Sequence, residues 1–486
     1  MTELLIRGGH LFDLQRAEAA DVLIRDGMIA EVGPGLTTSG TVLDARGKIV
    51  MPGYVNAHTH SNQALEKGLC DRFPLDAWMV IASYGGVNAE LSPRDLYISA
   101  LVGAIEMIRT GSTSVLDMPR IDMARFAEGS DAIMQAYADI GLRAAVAVSY
   151  TDVNFAASLP LELVPGLSDT LKPRRTAAVA DVISHLEAFV SRWKGRHPLL
   201  SPMIGPSSLP RCSTELFEAS VDLARRNGIG MQTHLLSGKS QVMIGKERYG
   251  GSTVEFLKRI GCLEDWASFA HSIWLSDEDV NIFGDSFAVA VHNPVSNMKL
   301  GAGIAPMPEL RKAGAKIALG SDGASSADSQ NMFETVKGAA ILHRINHEQD
   351  DWILAEDALD MCWHGGAAAM RQKLGRIEPG HAADLTVLHT RNMFHAPKDQ
   401  LAGQIVHSEL GNSVDSVVVG GEVVMREGAI TRIDEAAIHA EAQEIVSRLY
   451  AHLPDRMRRF EEVRPMFQEL ERRVNRTELH FARFCG

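Results

Sequence analysis

Cysteine is sparse in this 486-residue chain: Cys70, Cys212, Cys262, Cys362 and Cys485 are scattered, odd in number and never spaced as C-x-x-C. That argues against a disulfide framework or a zinc-cysteine site and fits a reducing compartment. Basic charge is also in deficit, with 48 Lys and Arg against 61 Asp and Glu and a formal net charge of -13. A polyanion is therefore a poor partner, because nucleic-acid binders present a basic face. The local clusters Arg456, Arg458, Arg459 and Arg472, Arg473 are interleaved with Glu461, Glu462, Glu469 and Glu471, and read as a solvated helix face. No apolar run reaches membrane-spanning length, and the start Met1-Thr-Glu-Leu-Leu-Ile-Arg-Gly-Gly-His10 lacks the basic end and apolar core of a signal peptide. A cytoplasmic protein is expected, with neither nucleic acid nor membrane among its partners. Charged residues at 22% and hydrophobic ones at 45% are ordinary for a folded globular chain.

Both ends of the sequence are strand-like. Leu4-Leu-Ile and Asp21-Val-Leu-Ile-Arg-Asp-Gly-Met-Ile-Ala-Glu-Val-Gly33 open the chain, with Asp26-Gly27 as a hairpin turn. The same texture returns in Ala383-Asp-Leu-Thr-Val-Leu and in Val414-Asp-Ser-Val-Val-Val-Gly-Gly-Glu-Val-Val. Between these ends, short apolar runs such as Thr113-Ser-Val-Leu-Asp117, Ala288-Val-Ala-Val-His292 and Lys316-Ile-Ala-Leu-Gly-Ser-Asp322 alternate with helix-like segments. Strand then helix, repeated at this length, predicts an α/β protein built on a (β/α)8 TIM-type barrel. The expected division is 1–54 and 381–431 as one small β-sandwich, 55–380 as the barrel and 432–486 as a helical segment. In that last segment Ile445, Leu449 and Leu453 fall at helical spacing and Pro454 is expected to interrupt. It would pack on the barrel or on a second subunit, and a homo-oligomer is expected.

His58 and His60 end an apolar run, and strand alternation sends residues i and i+2 to one face, so both imidazoles can reach one point. His234, His271 and Asp322 each close a short apolar stretch too, where parallel barrels deliver catalytic groups. Singly, each has a plainer explanation: a core histidine bonded to a carbonyl, or a turn aspartate in Gly-Ser-Asp-Gly. Together they suggest one divalent ion, zinc or alternatively iron, held by His58, His60, His234 and Asp322. A water on such an ion is acidic enough to attack near neutral pH, with Asp322 as base and then acid. His271 would orient that hydroxide. His292 closes another strand and could touch substrate or make a structural hydrogen bond. Trp78 and Tyr84 could stack on a planar ring or simply pack.

His58-Thr-His60 after Pro-Gly-Tyr-Val-Asn-Ala, Gly111-Ser-Thr-Ser, His234, Ala270-His271, the run from His292-Asn-Pro to Pro306, Gly320-Ser-Asp322-Gly and Gly375-Arg-Ile-Glu-Pro-Gly-His-Ala-Ala-Asp384 together resemble the amidohydrolase superfamily. Within it the chain, from about residue 3 to 430, is similar to the group of triazine chlorohydrolases, S-adenosylhomocysteine deaminases and 8-oxoguanine deaminases. The resemblance implies a (β/α)8 barrel, a β-sandwich from both chain ends, and one divalent metal on the four residues named, with His271 beside the hydroxide. The fourth-strand candidate Leu200-Ser-Pro-Met-Ile-Gly offers no lysine of the kind that, carboxylated, bridges two metals in other branches, which again implies a single ion.

One position departs from that group. Its deaminases usually carry His-x-x-Glu on the fifth strand, where the glutamate passes a proton to a ring nitrogen; here Ser237 stands there. Lys239, Gln241 or Glu66 could supply the proton instead, or the substrate already holds a polarised carbonyl. The sequence thus predicts a metal-dependent hydrolase in which a metal-bound hydroxide cleaves a C–N bond of a small, cyclic, nitrogen-containing substrate. An aminohydrolase or dechlorinase of a purine, pterin or triazine comes second, and a metal-free scaffold third. The pocket is expected among Gln63 to Trp78, Ser83 to Gly86 and Ser237 to Tyr249.

Overall fold

The computed structural model describes residues 3–80, 91–171, 176–391 and 400–484. At the chain start, β1 (Glu3–Asp13), β2 (Arg16–Arg25), β3 (Met28–Gly33), β4 (Thr41–Asp44) and β5 (Lys48–Pro52) are laid down in quick succession. Asp26 and Gly27, both with positive φ, make the tight β2–β3 turn that the Asp-Gly pair predicts.

The central region carries β6 (Tyr54–Thr59), β7 (Ser112–Asp117), β8 (Arg143–Val146), β9 (Ser149–Tyr150), β10 (Leu200–Pro202), β11 (Gly205–Pro206), β12 (Met231–Leu235), β13 (Ala267–His271), β14 (Val289–His292) and β15 (Lys316–Leu319). Helices separate most of them. The order β10-β8-β7-β6 forms one parallel four-stranded sheet and β12-β13-β14-β15 a second. β6, β7, β13 and β14 are buried along their whole length, the mark of parallel strands covered on both faces. A parallel bridge, Ile204 to Met231, links the sheets on one side. On the other, the Asp322 N–H donates to the His58 carbonyl at 2.9 Å. Gly320 allows that approach, since a Cβ there would lie 2.7 Å from the Cβ of His58.

After the central region come β16 (Leu385–His389), β17 (Val414–Val419), β18 (Glu422–Arg426) and β19 (Ala429–Ile430). They join the N-terminal strands in one nine-stranded sheet, ordered β19-β18-β17-β16-β5-β1-β2-β3, with β4 beside β1. The seam is β16 against β5, antiparallel from Leu385–Pro52 to His389–Lys48. Ile29 N–H also donates to the His381 carbonyl, so β3 returns to the start of the C-terminal portion. Ile6, Val22, Ile24, Val50, Leu385, Val387 and Val418 form a core of their own on this sheet.

Two helices, Glu435–Tyr450 and Leu453–Arg476, end the described chain, and the break falls just before Pro454, as expected. The first buries Ile438, Ala442, Ile445 and Leu449, and its Arg448 and Glu441 pair with Asp95 and Arg94 of the central helix Pro93–Arg109. The second sets Phe460 edge-on to Phe73 at 4.9 Å. Its solvent side pairs Arg458 with Asp455 and both Arg472 and Arg473 with Glu469, the solvated face read from the sequence. No helix among the described residues is long and apolar enough to cross a membrane.

Candidate active site

His58 and His60 leave β6 on the same side, as alternation requires, with ring centroids 4.8 Å apart. His234, on β12, lies 4.9 Å from His58 and 5.2 Å from His60 by the same measure. Asp322 follows β15 and brings Oδ1 to 3.3 Å from His60 Nε2 and 3.6 Å from His58 Nε2. His271, at the end of β13, has Nε2 3.9 Å from Asp322 Oδ2. Five groups spread from His58 to Asp322 thus meet at the ends of four parallel strands. Both His271 (φ 73°) and Asp322 (φ 65°) adopt the left-handed backbone that side chains other than glycine disfavour, a strain tolerated where the surroundings fix the residue.

The hydrogen bonds set the imidazole tautomers. Gln232 Nε2 donates to the Ala57 carbonyl and to Ser268 Oγ, so its Oε1 faces His58 Nδ1 at 2.7 Å and must accept from it. His60 Nδ1 donates to the Met118 carbonyl at 2.6 Å, and His234 Nδ1 to the Ser207 carbonyl at 2.5 Å. In the neutral ring each Nε2 then carries a lone pair, and all three face the same point. Those of His60 and His234 lie 3.2 Å apart, and His58 Nε2 is buried without a partner. Leaving such acceptors face to face is unfavourable unless a cation sits among them. His58, His60 and His234 form one group whose ligand atoms lie within 4.8 Å of one another; His58, His271 and Asp322 form another.

The electrostatics keep two of the three rings neutral, whereas at His60 burial is outweighed by the Asp322 carboxylate, which raises it, so that a proton and a cation compete for its Nε2. Burial, reinforced by the charge of His60, pulls His58 down to about 3, and burial with the neighbouring histidines holds His234 well below its ordinary value. Burial alone would raise Asp322, but the His60 hydrogen bond and the surrounding imidazoles outweigh it and keep the carboxylate ionised. Asp322 also accepts from Ser296 Oγ at 2.5 Å and from the Gly323 N–H at 2.7 Å.

Above this cluster opens a cavity of about 360 Å³, small-molecule size. His60, His234, His271 and Asp322 line it, with Ser237, Gln241, Trp78 and Gln63; His58 lies beneath. Among the other sequence candidates, Lys239 is turned away: its Nζ donates to the Asn475 carbonyl at 2.9 Å. Glu66 is buried and outside the lining. His292 is fully buried against His343, centroids 5.6 Å apart, and is not part of the lining. Tyr84 and the Ser83 to Gly86 loop lie outside the described residues. Gln232 escaped the sequence reading, although it sits two before His234 and therefore on the same strand face.

Residues 49–424 match the amidohydrolase family. The chain is 32% identical over 425 residues to the 5-methylthioadenosine/S-adenosylhomocysteine deaminase of Thermococcus sibiricus, covering 87% of this chain and 94% of that protein. It is 31% identical over 463 residues to the 5'-deoxyadenosine deaminase of Methanosarcina barkeri, covering 93% and 100%. A solved atrazine chlorohydrolase from Arthrobacter aurescens, complexed with zinc, has the same fold: TM-score 0.83 at 23% identity, over 91% of this chain and 100% of that one. This chain belongs to the amidohydrolase family and is a hydrolase.

Proposed function

We propose that the chain hydrolyses a C–N bond of a small, cyclic, nitrogen-containing substrate, using one divalent cation held by His58, His60, His234 and Asp322. Zinc is the first candidate and iron the second. The observation that carries this reading is the convergence of three imidazole nitrogens on an ionised carboxylate, each ring aimed by a hydrogen bond on its other nitrogen. A cation bound there would polarise the substrate and make a water acidic enough to react near neutral pH. Asp322 takes the proton of the attacking water and returns it to the departing nitrogen. His271, lining the cavity beside Asp322 with Nδ1 bonded to Asn297, presents Nε2 as an acceptor that orients the attacking water. A single ion is favoured by the lining, which includes no lysine among the described residues.

The same proposal takes the two parallel sheets as one closed (β/α)8 barrel over 55–380, supported by the links at Ile204–Met231 and at Asp322–His58. It takes 1–54 and 381–431 as a sandwich domain, supported by their shared sheet and separate core, and 432–486 as helices laid on the barrel. A cytoplasmic setting is in keeping with Cys70, Cys212, Cys262 and Cys362, all free and buried.

Two experiments bear on this reading. Gln232→Met should weaken metal affinity about 10–100-fold, since a group that orients a ligand is lost, while the chain stays folded. Competition with a chelator measures it, and unchanged affinity would remove Gln232 from the site. Deamination or dechlorination of an aromatic N-heterocycle is the second reading, favoured by the deaminases and chlorohydrolase to which the chain is similar. Ser237→Glu separates the two. The added carboxyl should raise turnover of aminated heteroaromatics about 10²-fold, the lower range for a positioned acid, and leave carbonyl substrates no better off. Rapid ammonia release from such rings by the natural chain would give the second reading precedence.

A further inference from the structure

The start of the helix Lys239–Tyr249 presents one side chain to the cavity whose polar ends can be told apart. The Ser237 N–H donates to Gln241 Oε1 at 3.1 Å. A backbone N–H can only donate, so the amide oxygen of Gln241 is fixed on that side and its NH2 group is the end left for another partner. Gln241 shares the cavity lining with His234, Ser237 and Asp322. Lys239, one residue into the same helix, spends its ammonium on the Asn475 carbonyl and the face of Trp274. The helix therefore offers the cavity a neutral donor and not a charged one.

We propose that Gln241 is a specificity-determining residue, whose Nε2 donates a hydrogen bond to an acceptor atom of the substrate. The inference rests on the hydrolase reading above and narrows its substrate class. A carboxamide can polarise a carbonyl oxygen or a ring nitrogen, but it cannot hand over a proton near neutral pH. Substrates that are electrophilic without ring protonation gain most from it: cyclic amides, ureas and imides. An aromatic ring that must be protonated before water attacks gains least. The preference is thus set by a group that binds without titrating.

A purely structural role would leave a different signature. Gln241 lies in the first turn, and its bond back to Ser237 helps to start a helix whose N-cap, Gly238, makes no side-chain cap. Gln241→Glu keeps an oxygen for the Ser237 N–H and adds negative charge at a helix N-terminus, so stability should hold. It also removes the donor and sets a carboxylate against the substrate's acceptor.

Zinc-loaded wild type, Gln241→Glu and Gln241→Met are compared for melting temperature, zinc content, and kcat and KM. The carbonyl probes are hydantoin, dihydrouracil and succinimide; the aminated-ring probes are guanine, pterin and melamine. The wild type should favour a carbonyl probe. Gln241→Glu should keep its melting temperature and zinc, lose at least tenfold in kcat/KM on that probe, and gain on an aminated ring with a new ionisation in its pH profile. Gln241→Met should lose on the carbonyl probe without that gain. Equal kcat/KM in wild type and Gln241→Glu, or a loss that only follows falling stability, would overturn the inference and leave the hydrolase reading intact. A zinc-replete wild type that cleaves none of the six probes would overturn both.

Discussion

Asp322→Asn is expected to lower kcat by about 10²–10⁴-fold, the range associated with losing a positioned proton acceptor. The substitution keeps the size of the side chain and an oxygen for the Gly323 N–H that now bonds Oδ1. What it removes is the ionised carboxylate, which the His60 hydrogen bond and neighbouring imidazoles hold well below its ordinary range despite burial. A neutral amide cannot take the proton of the attacking water. Three imidazoles remain to hold an ion, so metal content should fall far less than turnover. The check is kcat at saturating substrate, with zinc measured in the same preparation. Retention of more than a tenth of wild-type kcat would mean that the proton goes elsewhere.

Asp384→Ala should cost about 3–5 kcal/mol of stability, the usual consequence of stripping one partner from a buried ion pair. Asp384 accepts from Arg143 Nε at 2.6 Å and Nη2 at 2.9 Å, from Ser114 Oγ at 3.1 Å and from the Gly420 N–H at 2.8 Å. Both charged side chains are buried, Asp384 at 2% exposure and Arg143 at 8%. One carboxylate therefore ties β7 and β8 of the central region to the turn between β17 and β18. Removing it leaves the guanidinium without its counter-charge and the peptide N–H without an acceptor. Urea unfolding of the two chains gives the difference directly, and a loss below about 1 kcal/mol would assign the pair to the category of exposed, weakly coupled ions. The double substitution Asp384→Leu with Arg143→Met should be less destabilised than Asp384→Ala, because no unpaired charge is left inside.

Much of the candidate site was legible because strand geometry is regular. A spacing of two put His58 and His60 on one face, and closing an apolar run marked His234, His271 and Asp322 as strand-end residues. The hydrogen bonds that aim those rings were hidden for a different reason. The Met118 and Ser207 carbonyls that fix His60 and His234 belong to the backbone, and any residue type could supply them. The choice between Lys239 and Gln241 depended on the rotation of a short helix about its axis, which no local pattern fixes. His292 closes β14 as convincingly as His271 closes β13, yet it turns into the protein against His343.

For the fold, β-rich ends were plain from their alternation and turns. Their pairing through β5 and β16 was not, because residues more than three hundred positions apart meet there without a local signal. The Arg143–Asp384 pair is of the same kind: two ordinary charged residues in sequence, a single buried contact in three dimensions.

Metal analysis of the purified chain beside His58→Ala is the most direct test of the central claim. The account predicts one divalent ion per wild-type chain, zinc foremost, with both the ion and C–N hydrolysis lost in a folded His58→Ala protein. A folded wild type that takes up no stoichiometric ion from zinc-containing buffer, or a His58→Ala protein that keeps its ion and its turnover, would contradict it.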